Sequence, residues 1–211
     1  MGEDDVLNGY AAEAARLIPQ FEALASEEVL RPVLDLLPSA PARVLEIGAG
    51  TGRDAAWLAE RGHHVVAVEP VEELREAGRK LRASSAIEWV DDRLPDLARI
   101  AARGERYDLV LVVAVWQHLR PEQHRKAAAN LAALVAPNGR LIMSIRHGPG
   151  SPERPCFPAS PEDFIAAAQG AGLDLLANRS AESIQPRNRA AGVTWSWVCL
   201  ERPATPRPRS A

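Results

Sequence analysis

Three glycines at alternate positions, Gly48, Gly50 and Gly52, close the segment Glu46-Ile-Gly-Ala-Gly-Thr-Gly. Such a loop turns sharply and carries no Cβ to hold a ligand away, so a ligand can lie against its main chain. The spacing Gly-x-Gly-x-Gly is not the Gly-x-Gly-x-x-Gly of a dinucleotide site, and no Gly-Lys-Ser/Thr follows to make a phosphate loop. Further along the chain, Glu69 ends an apolar run, where a carboxylate can accept hydrogen bonds from both hydroxyls of a ribose. Asp91 and Asp92 end the next run, where a carboxylate can accept a bond from the amino group of adenine. Taken singly, Glu69 reads equally well as a helix cap and Asp91 or Asp92 as turn residues. As a set, each at the end of a successive predicted strand, they read as a cofactor site.

Those residues need elements to hold them. From residue 43 onward short apolar runs alternate with amphipathic stretches. Strands are predicted over 44–47, 65–68, 87–90, 109–113 and 140–145, and helices near 54–61, 71–82, 96–103, 122–135 and 162–171. Strand then helix, repeated, predicts a parallel sheet covered on both faces, because parallel neighbours need long crossovers. The class is α/β, doubly wound. Two more strands, over 173–179 and 193–200, have no convincing helix between them and can close the sheet as an antiparallel pair. Residues 10–37 carry apolar side chains at helical spacing, interrupted at Pro19 and Pro32, and predict two or three short helices. The organisation expected is a helical segment over 1–40, a single domain over 41–202 and a Pro-rich, charged, disordered tail over 203–211.

Composition narrows the function classes. A chain of 211 residues with 46% hydrophobic content can bury roughly 70% of its unfolded surface without a staple. Its two cysteines, Cys156 and Cys199, are far apart and form no Cys/His cluster, so neither a disulfide framework nor a metal site is expected. The acidic start and the lack of an apolar run near ~18 residues predict a cytoplasmic protein with no membrane partner. With 25 basic against 28 acidic residues, and only Lys80 and Lys126 as lysines, no general field attracts nucleic acid.

The chain resembles the class I S-adenosylmethionine-dependent methyltransferases. Val-Leu-Glu46-Ile-Gly-Ala-Gly-Thr-Gly52 resembles the family's cofactor loop, Val-Ala-Val-Glu69-Pro70 its ribose-binding strand end, and Asp91-Asp92 with Leu94-Pro95 its adenine region. Tyr107-Asp-Leu-Val-Leu-Val-Val-Ala114-Val115-Trp116-Gln-His118 resembles its fourth strand and the segment after it, and Pro137-Asn-Gly-Arg140 the turn before its fifth. The spacing from Asp91 to Leu94-Pro95 is shorter than the family's common pattern, which leaves open which aspartate reaches adenine. The resemblance implies a Rossmann-like, seven-stranded, mainly parallel sheet with an antiparallel last strand. It implies S-adenosylmethionine as cofactor and S-adenosylhomocysteine as product. It further places Ala49, Asp54, Pro70, Leu94, Ala114, Val115 and Trp116 beside the cofactor, and Tyr10 and Phe21 in an N-terminal helical lid over it, with Phe21 on the substrate side.

Methyl transfer is an in-line displacement at an activated sulfonium, so alignment of the acceptor alone is worth about 7–11 kcal/mol. His118, after the fourth strand, can act as base, or can order its loop and pack under the cofactor. His147, ahead of Gly148 and Gly150, is placed to touch substrate or take its proton, whereas His124 reads as a surface residue. Arg146, Arg154, Arg187 and Arg189 fall in segments bordering the substrate, where a guanidinium fork suits a carboxylate or phosphate. An acidic small molecule is therefore one expectation, and plain surface arginines the other. Trp195 and Trp197 share a face of the last strand, which reads as core, with a substrate or homodimer surface as the alternative.

Three other functions are weighed. A non-catalytic S-adenosylmethionine-binding sensor or partner subunit needs the same residues. A nicotinamide-dependent oxidoreductase is disfavoured by the glycine spacing and by the absence of lysine four residues after Tyr10 or Tyr107. A nucleic-acid base methyltransferase would show Asp/Asn-Pro-Pro-aromatic where Ala114-Val-Trp-Gln stands. A small-molecule substrate remains.

Overall fold

The computed structural model describes residues 3–39, 41–83 and 86–204, so residues 205–211 of the expected tail lie outside the described residues. The chain starts with α1 (Glu3–Glu22), α2 (Ser26–Val29) and a 3-10 turn at Arg31–Leu36. The sequence predicts a break at Pro19, yet α1 runs through it. A proline inside a helix costs about 3 kcal/mol. Here it falls in the last turn, and the α1 face carrying Tyr10, Ala14 and Ile18 packs on Val71 and Leu74. At roughly 1.5–3 kcal/mol for each well-buried apolar side chain, that packing outweighs the penalty.

Strand and helix then alternate: β1 (Arg43–Ile47), α3 (Arg53–Ala59), β2 (His64–Val68), α4 (Glu72–Leu81), β3 (Ile87–Val90), α5 (Ala98–Ala101) and β4 (Tyr107–Val112). A 3-10 turn at Trp116–His118 leads into α6 (Pro121–Leu134), β5 (Val135–His147), α7 (Pro161–Gly170), β6 (Asp174–Glu182), α8 (Pro186–Ala190) and β7 (Thr194–Glu201). The seven strands are ordered β3-β2-β1-β4-β5-β7-β6, and β7 runs antiparallel to both its neighbours. The doubly wound class and the antiparallel last strand are as expected. Between β6 and β7, where the sequence shows no helix, the structure has the short α8.

Both faces of the sheet are covered. Leu45, Ile47, Val110 and Val112 pack with Leu131 of α6 and Phe164 of α7, while Val44, Leu109 and Leu111 pack with Leu58 of α3 and Val33 of the 3-10 turn. This is why the central strands read as unbroken apolar runs. The sheet order reverses between β1 and β4, and the crevice above their carboxyl ends is where such sheets bind ligands. Among the described residues, no helix is long and apolar enough to cross a membrane.

Candidate active site

A cavity of about 300 Å³ opens at that crevice. The loop after β1 forms one wall. Gly48 adopts φ +70°, and a Cβ there would run into Val115 Cγ2; Gly50 adopts φ +58° and faces the Phe21 ring. The Gly48 and Ala49 amides both donate to the Val68 carbonyl, at 2.8 and 2.9 Å, which ties the loop to the end of β2. Gly48, Ala49 and Gly50 line the cavity, but Gly52 does not. A Cβ on Gly52 would lie 2.7 Å from the Trp89 ring, so this glycine makes room for packing against that ring.

Glu69 closes the same wall. Its Oε2 accepts from the Gly50 amide at 2.7 Å and its Oε1 from the Val71 amide at 2.9 Å, while Arg75 Nη1 donates to its main-chain carbonyl at 2.7 Å. The residue thus steadies the entry to α4 and lines the cavity together with Pro70. Burial pushes its carboxyl up to about 7, against the pull of the two amides. Glu46, on β1, is 3% exposed, and its Oε2 has no partner. Burial, reinforced by nearby Asp54, holds the Glu46 carboxyl well above the usual carboxylate range. Asp54 also borders the cavity, but both its oxygens are taken by Arg53, Nε to Oδ1 at 2.8 Å and Nη2 to Oδ2 at 2.7 Å.

The two aspartates after β3 separate. Asp91 is half exposed, lies 3.7 Å from Arg75 and is off the cavity. Asp92 borders it with Leu94, and its carboxylate accepts from the Arg93 amide at 2.8 Å and the Ile100 amide at 2.9 Å. Asp92 therefore also anchors α5.

Past β4, Ala114 at φ +57° and Val115 line the cavity, and the Ala114 amide donates to Ser144 Oγ at 2.8 Å. Trp116 does not border the cavity. The 3-10 turn swings it into the core, where it is 1% exposed, stacked on His124 with centroids 4.7 Å apart and edge-on to Phe164 at 4.9 Å. His124 is accordingly half-buried, and its Nε2 meets the Leu119 carbonyl at 3.1 Å.

The same turn carries His118 into the cavity. Its Nδ1 lies 2.9 Å from the Pro155 carbonyl oxygen, which can only accept, so the proton sits on Nδ1. Nε2 then accepts from the Tyr10 hydroxyl at 2.9 Å and faces the Gln117 amide at 3.2 Å. Burial pushes His118 down to about 4 and pushes the Tyr10 hydroxyl up. The Arg154 guanidinium, 5.1 Å from the Tyr10 ring centroid and bonded to Glu13 at 2.7 Å, pulls Tyr10 the other way. Tyr10 and Phe21 make α1 a wall of the cavity. Glu22 fastens that helix to the glycine loop, accepting from Thr51 Oγ1 at 2.6 Å and pairing with Arg82.

His147 and Arg146 lie outside the cavity. Because β5 pairs with β7 to its end, His147 Nε2 meets Ser196 Oγ at 2.8 Å. Arg146 turns to the Pro149 carbonyl at 2.8 Å, with its guanidinium 5.7 Å from the Trp195 ring. Neither borders the cavity in this arrangement. Arg189 donates to the Ser183 and Ile184 carbonyls at 3.0 and 2.9 Å. Trp197, 4% exposed, belongs to the core with Trp195 packed against it, as expected, and both also line the cavity. Sequence reasoning missed the rest of that wall, Val29, Pro32, Ser183 and Ile184, which carries no local motif.

A profile of the family described as "Methyltransferase domain" matches residues 21–178. Over 106 residues the chain is 38% identical to an uncharacterized methyltransferase of Mycobacterium tuberculosis, covering 50% of this chain and 40% of that protein. Over 178 residues it is 25% identical to the glycine N-methyltransferase of Mus musculus, covering 78% of this chain and 58% of that enzyme. The match thus spans well under two thirds of these relatives' length. Among solved structures, the 1,6-didemethyltoxoflavin-N1-methyltransferase of Burkholderia thailandensis, with 1,6-didemethyltoxoflavin and S-adenosylhomocysteine bound, superposes with a TM-score of 0.73 at 22% identity, over 95% of this chain and 88% of that one. The magnesium protoporphyrin IX methyltransferase of Synechocystis, with S-adenosylmethionine bound, gives a TM-score of 0.63 at 17% identity, over 84% and 77%. At these identities the likeness is one of fold.

Proposed function

Because the chain belongs to the class I methyltransferase family, we propose that it binds S-adenosylmethionine and transfers the methyl group to a small-molecule acceptor. The observation that carries this reading is the Glu69 carboxylate, buried in the cavity wall and fixed by the Gly50 and Val71 amides. Each of its oxygens keeps a lone-pair direction for a second donor, which suits the neighbouring hydroxyls of a ribose. The unpartnered Glu46 Oε2 in the same cavity suits the ammonium of a methionyl group, since a buried acceptor without a donor calls for one. Gly48 and Gly50 let that group lie against the main chain, and Asp92 and Leu94 border the adenine end.

When bound, S-adenosylmethionine supplies a sulfonium methyl already activated for displacement. The remaining task is alignment and exclusion of water, and α1 walls the cavity for both. The Tyr10 hydroxyl donates to His118 and its oxygen also meets the Arg154 guanidinium, which leaves one lone pair to accept an N–H or O–H of the acceptor. His118, held neutral by burial, orients Tyr10; with its pKa near 4 it is a poor base at neutral pH. Calorimetry with S-adenosylmethionine, NADH and NADPH tests the reading on wild type and Glu69→Ala. Micromolar binding of S-adenosylmethionine alone, about −8 kcal/mol, weakened strongly in the variant, is the expected result. Preference for a nicotinamide would overturn it.

A further inference from the structure

We propose that the acceptor end of the cavity takes a planar aromatic molecule that carries no negative charge, either neutral or cationic. This rests on the reading that the glycine-loop end holds the cofactor. In the sheet order, β1 to β3 lie on one side of the crevice and β5, β7 and β6 on the other, so the two ends of the cavity have different walls.

The β7 end is a slot. Trp195 and Trp197, two residues apart on one strand, present their indoles to the same face, with Trp197 in register with Ser144 of β5. Val29 and Pro32, from α2 and the turn after it, and Ile184 line the same cavity. Indole faces suit a flat ring, and their negative quadrupole favours a cation over an anion.

The charges in the lining point the same way. Glu182 and Glu28, the latter 3.7 Å from Arg31, are exposed at the mouth. The polar groups between them, Ser183, Gln185 and Asn188, are neutral. Of the two guanidiniums in the lining, Arg53 is held on two of its nitrogens by Asp54, and Arg93 belongs to the segment after β3, across the sheet from the tryptophans. Arg31, Arg146, Arg187 and Arg189 lie near this end but off the cavity lining: Arg31 is 3.7 Å from Glu28, Arg146 donates to the Pro149 carbonyl with its guanidinium 5.7 Å from the Trp195 ring, Arg187 is exposed, and Arg189 donates to the Ser183 carbonyl. A carboxylate or phosphate on the acceptor would therefore meet no guanidinium among the residues that line this end.

The test uses protein saturated with S-adenosylhomocysteine and three indoles that differ in charge: indole, tryptamine and indole-3-acetate, titrated by calorimetry. Tryptamine is expected to bind about tenfold or more tightly than indole-3-acetate, with indole between them. Trp195→Ala and Ile184→Ala should each weaken tryptamine by about tenfold while changing S-adenosylhomocysteine affinity less than about threefold. Equal or tighter binding of the anion would overturn the proposal, as would tryptamine binding that neither variant alters, or loaded protein that takes up none of the three. If wild type does not bind S-adenosylhomocysteine at all, it is the cofactor reading that fails, and this inference falls with it.

Discussion

The Tyr10 hydroxyl donates to His118 Nε2 across 2.9 Å, joining the first helix to the turn after β4. Because the opposite ring nitrogen is committed to the Pro155 carbonyl, the pair has one donor-acceptor sense.

That sense can be measured. Nitrogen-15 shifts of His118 should report the neutral Nδ1–H tautomer from pH 8 down to about 5, with titration near pH 4. A folded pKa below the unfolded value means that the unfolded chain binds more protons between the two. The stability from neutral His118 is thus fully present above about pH 6.5 and is lost as pH falls toward 4. Denaturant unfolding of wild type should weaken across that window, and His118→Gln should show a shallower slope. A charged imidazole at pH 6 would contradict the assignment.

A double-mutant cycle between Tyr10→Phe and His118→Ala isolates the bond itself. The phenylalanine keeps the ring and removes only the hydroxyl, so a coupling energy of about 1 kcal/mol is expected from unfolding curves. Additive effects would mean that the two side chains do not interact in solution.

Glu69 sets a pH dependence of the opposite kind. With its carboxyl pushed up to about 7, the group is protonated below neutrality, and ribose donors favour its ionised form. S-adenosylmethionine binding should therefore release a proton near pH 6 and tighten as pH rises through 7. Calorimetry in buffers of different ionisation enthalpy reads that proton directly. Glu69→Gln should bind more weakly and lose the pH dependence.

The glycines divide by what they face. Gly48→Ala puts a side chain at φ +70° and against Val115, so both stability and cofactor affinity should fall. The backbone part alone costs about 1–2 kcal/mol, and Val115→Ala in the same chain should relieve only the remainder. Gly52→Ala strikes the Trp89 ring and should destabilise the fold while the folded fraction keeps its cofactor affinity within about threefold. Equal loss of affinity in both would show Gly52 to be part of the site.

The glycine loop and the strand-end acids were legible in the sequence because each sits within a few residues of the strand that places it. The apolar runs of β1, β2 and β4 fix where those strands stop, and the site follows from the stops. Trp116 was not legible in this way: whether a residue past a strand end faces the cavity or the core depends on the 3-10 turn, and that turn depends on packing against α6 and α7. Arg146 and His147 fall off the cavity for a related reason. Their run reads as the end of a strand, but β7 pairs alongside it as far as His147, and Ser196 takes the imidazole. The tryptophan wall depends on contacts between residues more than a hundred positions apart, which no local pattern records.

The placement of β7 also sets an order in time. It is inserted between β5 and β6, so its pairings with both are long-range closures of the kind that slow folding. The glycine loop and Glu69 are held by β1, β2 and their immediate neighbours, which pair without β7. As a chain emerges from the ribosome, the nucleoside side of the cavity can form while the residues of the tryptophan wall are still being made. The strand order therefore divides the site by contact distance, its nucleoside side resting on neighbouring strands and its tryptophan wall on the strand made last.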